Sequence, residues 1–292
     1  MLRLTFAFLA AAASLHAAEA DKPTKLPALE TEKAVLVHTV PGVRNGNHVQ
    51  GFCADDDYIY VSQMIQLTKF DWKGKFVKKV DAPSHTGDIC VYNGRIYAAV
   101  ASWGPNVPKD APKGGIYEYD TDLNFIRKVD FDQGLDGIAA IDGVLYAGYG
   151  PNPMAGHYTN RFVRVDAKTL KTIDVKEICY GEKTAFGCQN ATTDGKSLFA
   201  VFYNNDKPLV VLDKDVGIIS TPDASAFHRS CGEGFERVPP SRAGGRDLFM
   251  RLRTMNRFVK DRDSEPIYAV IDFFEYDRAG NRLVNVTEYK RR

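Results

Sequence analysis

Polar side chains that could bind a ligand, hold a metal ion or transfer a proton recur just before five apolar stretches of the sequence. They stand four, two or one positions before the first apolar residue of each stretch. The resulting set is His48, Gln50, His85, Asp88, Asp136, Gln189, Asn190 and Glu233. If the fold brings the five stretches together, two histidines, three carboxylates and three amides share one site.

Three kinds of chemistry fit this set. Carboxylate and amide oxygens suit calcium, whereas His48, His85 and Asp88 together suit zinc with one position open for water. Alternatively, Asp136 and either Glu233 or Asp88 could act as general acid and general base, if burial raises the pKa of one carboxyl and leaves its partner ionised. The third possibility is that these groups bond only to one another, to backbone amides and to water.

No compact motif chooses among these possibilities. The sequence contains no HExxH motif, no paired CxxC motifs and no GxSxG motif, so a zinc-protease helix, a zinc ribbon and a serine nucleophile elbow have no support. Any site must therefore be assembled from distant parts of the chain.

The elements that would assemble it belong to a unit that recurs five times. The unit has a polar step ending in glycine or another small residue, an apolar strand, a turn, a strand with an aromatic residue, and a later strand that closes on an aspartate. In the first four copies the apolar residue after the polar step lies eight positions before that aromatic residue. These pairs are Phe52 and Tyr60, Ile89 and Tyr97, Ile138 and Tyr146, and Ala191 and Phe199. The fifth copy, which opens at Cys231, is the most divergent.

A period of roughly 40 to 50 residues is typical of β-propeller blades with four strands each. We therefore expect an all-β, five-bladed β-propeller with four-stranded antiparallel blades. The first strand of each blade lines the central channel, so the polar steps meet at one channel mouth. The closing aspartates should accept backbone hydrogen bonds in turns; they are Asp71, Asp120, Asp166, Asp213 and Asp277. The segment Lys33 to Val40 reads as a further strand that could close the ring on the last blade.

These repeats resemble the five-bladed β-propellers over roughly Ala34 to Tyr289, with an architectural likeness to the quinoprotein, YVTN and lactonase types. The steps HVQGF and CGEGF also resemble the TQGL and EGI steps of the glutaminyl cyclotransferase propellers over short stretches. The first resemblance implies the fold but no particular chemistry. The second implies a cyclotransferase as one possible activity.

Two long loops, Ser102 to Gly114 and Tyr149 to Asn160, connect the second and third strands of their blades. Each contains a Gly-Pro-Asn turn and aromatic residues, and such loops often carry specificity. Trp103, His157 and Tyr158 could stack on a sugar or another flat ligand, or could cap hydrophobic edges instead.

The ends and the charge of the chain indicate an exported protein without a membrane anchor. Residues 1–20 have the charge, apolar run and small residues of a signal peptide, residues 21–33 read as a flexible leader, and residues 34–292 form one propeller domain. The later sequence has no apolar run long enough to span a bilayer. With 38 basic and 37 acidic side chains, nucleic-acid binding is not expected. We expect a periplasmic or secreted location.

Five cysteines in an exported chain permit two disulfides and one free thiol. Cys53 and Cys90 occupy equivalent positions on neighbouring inner strands, where they could pair or be buried as small apolar residues. Cys188 could pair with Cys179 or with Cys231.

These observations lead to two functional hypotheses. The first is an exported propeller that binds a small molecule or glycan at the channel mouth, with or without a calcium or zinc ion. The second is an enzyme: a metal-assisted hydrolase or lactonase, or a glutaminyl cyclotransferase-like protein.

Overall fold

The computed structural model describes residues 32–38, 49–102, 112–150, 157–203, 207–227, 234–254 and 268–288. All of them belong to one compact unit, Thr31–Arg292. Almost all regular structure in these residues is β-strand. None of their helices is long and apolar enough to cross a bilayer.

The first two blades are four-stranded antiparallel sheets made of consecutive strands. Two short strands, β1 (Glu32–Lys33) and β2 (Val35–His38), precede them in the sequence. Blade one contains β3 (Val49–Ala54), β4 (Tyr58–Gln63), β5 (Gln66–Asp71) and β6 (Phe76–Asp81). Blade two contains β7 (Thr86–Tyr92), β8 (Arg95–Ala101), β9 (Gly114–Asp120) and β10 (Phe125–Phe131).

Blades three and four share one continuous strand. Blade three contains β11 (Leu135–Ile141), β12 (Val144–Tyr149), β13 (His157–Asp166) and the first half of β14 (Thr172–Thr193). The second half of β14 is the inner strand of blade four, which continues with β15 (Leu198–Tyr203), β16 (Leu209–Leu212) and β17 (Ile218–Ser220). Because β14 is 22 residues long, the two blades form a single seven-stranded sheet.

Blade five is completed by two different parts of the chain. It contains β18 (Phe235–Arg237), β19 (Leu248–Thr254), β20 (Tyr268–Asp277) and β21 (Arg282–Asn285), with a 3-10 helix (Ser225–Phe227) before it and a short α-helix (Pro240–Ala243) within it. One half of β20 pairs with β21, and the other half pairs with β2. The strand β22 (Thr287–Glu288) runs parallel to β1. The sequence correctly indicated both a closing N-terminal strand and a fourth strand within blade five.

The five inner strands form a closed ring. Each of β3, β7, β11, the second half of β14 and β18 contacts the next, and β18 contacts β3 again. Each interface between neighbouring blades also holds one buried apolar cluster, because both faces of a blade carry apolar side chains. Representative pairs across the interfaces are Phe52 and Met250, Tyr60 and Ile96, Ala99 and Leu145, Tyr146 and Phe202, and Phe199 and Phe249. The predicted five-bladed β-propeller is confirmed.

The closing aspartates adopt the structural role expected of them. In three blades one carboxylate oxygen accepts the backbone N–H groups two and four residues later, as Asp71 does with Lys73 and Lys75 at 2.9 Å each. Asp120 and Asp213 repeat this pattern. Such turns hold the third and fourth strands of a blade together.

The predicted disulfides do not form among the described residues. Cys53, Cys90 and Cys188 are buried free thiols and Cys179 is an exposed one, so the possible Cys53–Cys90 and Cys179–Cys188 bridges are absent and the alternative of burial holds for Cys53 and Cys90. Cys53 and Cys90 instead fill inner-strand positions as small side chains. Cys179 and Cys188 lie in different halves of β14, which pair with β13 and β15 respectively. Cys231 lies outside the described residues.

Candidate functional site

Two polar side chains close the channel near its mouth. On each inner strand one residue points inward, directly before Phe52, Ile89, Ile138, Ala191 or Phe235, and in three blades it is glycine. The other two are Asp88, which is 1% exposed, and Asn190, which is fully buried. We call Asp88 and Asn190 the channel floor.

The channel floor bonds to all the other inner strands. Asp88 Oδ2 accepts the N–H of Ile138 in blade three at 3.3 Å and of Ala191 in blade four at 2.8 Å. Asn190 Nδ2 donates to the carbonyl of Gln50 in blade one, and Asn190 Oδ1 accepts the N–H of Gly234 in blade five. The two side chains therefore link five blades around one axis.

The glycines at the equivalent positions make room for these side chains. A Cβ atom on Gly51 would lie 2.4 Å from Asp88 Oδ1 and 2.6 Å from its Cα. Contacts this short are not tolerated without a shift of the backbone. The glycine at position 51 is thus a requirement of the channel floor rather than of a turn.

Next to the channel floor, five side chains from four blades contact one another in a group that we call the mouth cluster. Its members are Gln50, Met64, His85, Asp136 and Gln189. Gln50 Nε2 and His85 Nδ1 each lie 3.1 Å from Met64 Sδ. His85 Nε2 lies 3.6 Å from Asp136 Oδ1, and Gln189 Nε2 donates to Asp136 Oδ2 at 3.2 Å.

The backbone holds the histidine of the mouth cluster in an unusual conformation. His85 has a φ of 55°, in the left-handed region that favours glycine. Its carbonyl accepts the N–H of Ala101, and the N–H of the next residue, Thr86, donates to the carbonyl of Met64. These backbone bonds hold the chain at His85 from two neighbouring blades. Left-handed backbone at a non-glycine residue is a feature that functional sites often contain.

Asp136 is enclosed but still reaches the mouth. The residue is 7% exposed, and a Cβ on Gly150 would lie 2.7 Å from Asp136 Oδ2. Gly150 belongs to the predicted loop from Tyr149 to Asn160, so this loop begins directly beside the carboxylate. Gly150 therefore packs against the carboxylate of Asp136.

Below the channel floor, a second layer of side chains surrounds the axis. It consists of Cys53, Cys90, Ala139, Thr192 and Glu236. Each of them directly follows one of the residues Phe52, Ile89, Ile138, Ala191 and Phe235 on an inner strand. Thr192 Oγ1 donates to Glu236 Oε1 at 2.9 Å. Burial, and then the charge of Asp88, raises the pKa of Glu236. Burial also raises the pKa of Asp88, against the opposing effect of the backbone N–H groups on its carboxylate.

The buried cysteines are unsuited to nucleophilic chemistry. Burial is the main cause that raises the pKa of Cys53 and of Cys90, and nearby carboxylates add to it. The same holds for Cys188, beside Asp88 and Asp136. Since only the thiolate is a good nucleophile, these residues act as small packing groups.

The predicted site residues therefore fall into three groups. The mouth cluster brings Gln50, His85, Asp136 and Gln189 together, whereas Asp88 and Asn190 form the channel floor. Tyr158 lies on β13 and is 57% exposed; His157 begins that strand, and its side chain lies outside the described part of the chain. His48, Trp103 and Glu233 also lie outside the described residues.

The described residues contain no group of three or more His, Cys, Asp and Glu side chains arranged to hold a metal ion. Of the proposed metal set, His85 is in the mouth cluster with its ring nitrogens facing Met64 and Asp136. Asp88 is in the channel floor with one oxygen bonded to two backbone amides. These two residues alone do not make a metal centre.

Sequence reasoning missed Met64 and Glu236. Met64 lies in the turn between β4 and β5, where an apolar residue in a two-residue turn was the available signal. Glu236 could have been found from strand alternation, because residues two apart on a strand face the same side. If Gly234, directly before Phe235, lines the channel, Glu236, directly after it, does so too.

Comparisons with known proteins show a similarity of fold and no more. No family model matches the chain, and no curated protein matches it. Glutaminyl cyclase from Myxococcus xanthus is similar in structure, with 12% identity, 84% of this chain and 98% of that chain covered, and a TM-score of 0.52. This chain shares that propeller fold. A gluconolactonase from Xanthomonas campestris (13% identity, 77% and 72% covered, TM-score 0.48) and BamB from Moraxella catarrhalis (12%, 80% and 61%, 0.39) are more distant.

Proposed function

We propose that this propeller binds a small polar molecule, such as a glycan or an amide, in the mouth cluster. The observation that carries the proposal is the convergence of Gln50, His85, Asp136 and Gln189 from four blades above a closed channel floor. A pocket closed below by buried polar side chains and lined by a few convergent polar groups is typical of small-molecule sites.

The chemistry of the pocket favours a ligand with both hydrogen-bond donors and acceptors. Asp136 supplies a carboxylate that only accepts when ionised, and Gln189 supplies an amide. The separation of 3.6 Å between His85 Nε2 and Asp136 Oδ1 is longer than a hydrogen bond. A polar ligand atom can therefore bridge the two groups. Tyr158, which is exposed on β13, offers an aromatic face for a sugar ring.

The test is a thermal-shift screen of purified protein against monosaccharides, amino-acid amides, glutaminyl dipeptides and glucono-δ-lactone. We expect at least one class to raise the Tm of the wild type, because a ligand of the folded state stabilises it. Asp136→Asn keeps the shape but removes the carboxylate, and should weaken binding of that class about tenfold or more, as expected for loss of a charged hydrogen bond.

The matched control is Asp142→Asn, in the same blade but in the turn between β11 and β12 at the opposite end of the strands. Asp142 is exposed and pairs with Lys214. This variant should bind like the wild type. If no compound shifts the Tm, or if both variants respond equally, the proposed binding site is wrong.

An enzyme acting at the same site is the second candidate, and the His85–Asp136 pair favours it. A histidine beside a carboxylate can move a proton between a nucleophile and a leaving group. Hydrolysis of a lactone and cyclisation of a glutaminyl residue both need such a transfer. The similarity in fold to glutaminyl cyclase is weaker support, because proteins that share a fold often differ in function.

Turnover assays separate the enzyme from the binding protein. Ammonia release from a glutaminyl peptide and hydrolysis of glucono-δ-lactone should both be measured for the wild type and Asp136→Asn. An enzyme would turn over one substrate, and Asp136→Asn would lose that activity while it keeps its Tm. Binding without turnover would leave the first proposal standing alone.

Two further parts of the proposal concern a metal ion and export. A zinc ion at His48, His85 and Asp88, or a calcium ion at the carboxylate and amide oxygens, would appear as stoichiometric metal in protein purified without chelator, and its absence from such protein would remove this part. Export would appear as a mature N-terminus after residue 18 or 20 in mass spectra of protein from the native host.

A further inference from the structure

Three carboxylates follow the axis of the propeller, and in the described part of the chain none of them pairs with a lysine or an arginine. Asp136 belongs to the mouth cluster, Asp88 to the channel floor, and Glu236 to the second layer of side chains around the axis. The guanidinium of Arg237, which follows Glu236 in the sequence, donates to the backbone carbonyl of Asp194 instead. The channel therefore concentrates acidic groups without basic partners.

One carboxylate oxygen of the channel floor has no hydrogen-bond donor. Asp88 is 1% exposed, and its Oδ2 accepts two backbone N–H groups, whereas Oδ1 accepts no hydrogen bond from the described residues. The neighbouring amide of Asn190 donates to the carbonyl of Gln50. A buried carboxylate oxygen without a donor costs free energy. A positive charge near the axis would lower that cost.

Asp136 also has one oxygen that is open to a ligand. Its Oδ2 accepts the amide N–H of Gln189 at 3.2 Å, whereas Oδ1 lies 3.6 Å from His85 Nε2, too far for a hydrogen bond. Gln189 Nε2 donates to the carbonyl of Phe186 as well. Because these two acceptors use both hydrogens of the amide nitrogen, Gln189 meets a ligand with its carbonyl oxygen, which only accepts.

We propose that the donor group of the ligand is a primary ammonium, which binds Asp136 Oδ1 and Gln189 Oε1. An ammonium group has three donors and no acceptor, and its bond to a carboxylate is strengthened by charge. Asp136 also lies against the backbone next to Asp88, since a Cβ on Gly87 would be 3.2 Å from Asp136 Oδ1. The acidic channel would thus attract a cation to the mouth. This inference rests on the proposed function and narrows its ligand to organic cations.

The test compares pairs of compounds that differ only in an ammonium or a hydroxyl group at one carbon. Suitable pairs are glucosamine with glucose, and alaninamide with lactamide. Isothermal titration calorimetry at pH 7 and low ionic strength measures the Kd of each compound for the wild type. In at least one pair we expect the amine to bind about tenfold or more tightly than the hydroxyl compound, as for a charged hydrogen bond in place of a neutral one.

Two variants locate the preference for the amine. Asp136→Asn keeps the shape of the side chain and should remove the preference, because the affinity for the amine falls to that for the hydroxyl compound. Asp142→Asn removes an equal charge from an exposed position in the same blade and should keep the preference. The comparison within the wild type tests the inference even if Asp136→Asn does not fold.

Failure of this inference differs from failure of the proposed function. If the hydroxyl compounds bind as tightly as the amines, or if Asp136→Asn keeps the preference, the ammonium site is wrong and the binding pocket stands. If neither amine binds but a neutral compound of the wider screen does, the same conclusion holds. If no compound binds at all, both proposals are wrong.

Discussion

Glu236 shows how a single buried charge acts on this propeller. Burial and the charge of Asp88 raise its pKa, so the folded protein holds the proton more tightly than the unfolded chain does. The stabilisation from this tighter proton binding is fully present below the unfolded pKa of about 4.3 and is lost as pH rises through the higher folded value. At neutral pH the carboxyl group of the unfolded chain is ionised, so folding must either bury that charge or bind a proton, and both cost stability.

We predict that Glu236→Gln raises the free energy of unfolding at pH 7 by about 1 kcal/mol, a few degrees in Tm, and leaves it nearly unchanged at pH 4. The amide oxygen of glutamine can still accept the hydrogen bond from Thr192. Thermal unfolding across this pH range measures the effect. Glu177→Gln is the control, because Glu177 is exposed and pairs with Arg161; a loss of stability in Glu236→Gln would contradict the prediction.

Sequence spacing was able to place the mouth cluster only in part. Gln50, Asp136 and Gln189 share a repeat position, and a shared position on equivalent strands implies a shared location. The spacing could not show that Asp88 and Asn190 cross the axis, because that depends on which neighbours are glycine. It also could not reveal Met64, since the direction of a turn side chain is set by tertiary contacts.

At the scale of elements, the ring is closed by pairing between the two ends of the chain. Four residue pairs join β2 to β20, from Val35 opposite Ile271 to His38 opposite Tyr268. Val35 also packs against the cluster between blades one and five, and Arg246 pairs with Glu32 in β1. The outer edge of blade five thus depends on residues that come before blade one.

Deletion of residues 1–38 should therefore destabilise the propeller by at least about 2 kcal/mol, since several ladder hydrogen bonds and one apolar contact are lost together. Scanning calorimetry would show this as a drop in Tm of roughly 5 °C or more. A chain that lacks only residues 1–31 keeps β1 and β2 and is the control. Equal Tm values for the two chains would show that the closing strand contributes nothing.

Strand periodicity predicted the individual strands better than their connections. The alternating patterns around Tyr60, Tyr97 and Tyr146 indicated hairpins that the structure contains. The sequence did not predict that β14 is one continuous strand, because the segment from Tyr180 to Gly187 contains two glycines, which are typical of loops. Pairing with β13 and β15 on either side keeps this segment within β14, although the register shifts on both sides and Gly181, Phe186 and Gly187 have positive φ.

At the scale of the whole molecule, the interfaces between blades contain tyrosines whose ionisation is suppressed. Tyr97, between blades two and three, and Tyr119, between blades one and two, are both buried. Burial raises the pKa of each to about 12. The unfolded chain ionises tyrosine near pH 10, so it releases protons before the folded propeller does.

The contribution of these tyrosines to the free energy of unfolding should therefore be constant up to about pH 10 and fall between about pH 10 and 12, by about 2 kcal/mol for each tyrosine. Chemical denaturation at a series of alkaline pH values measures this, with tyrosinate absorbance as a direct reading of ionisation. Tyr119→Phe should reduce the slope. A slope that is the same in this variant and the wild type would mean that the interface does not suppress ionisation.

The channel floor has a consequence for how different the five repeats must be. A ring of five equal blades would place five copies of the same side chain on one axis, and there is space there for only two that cross it. If Gly51 were an aspartate like its counterpart in blade two, its side chain would occupy the space of Asp88. The inner strands therefore cannot be interchanged, even though they occupy equivalent places in their blades. A variant in which blade one was replaced by a second copy of blade two would keep every strand pattern and still be unable to close, because symmetry itself would create the collision.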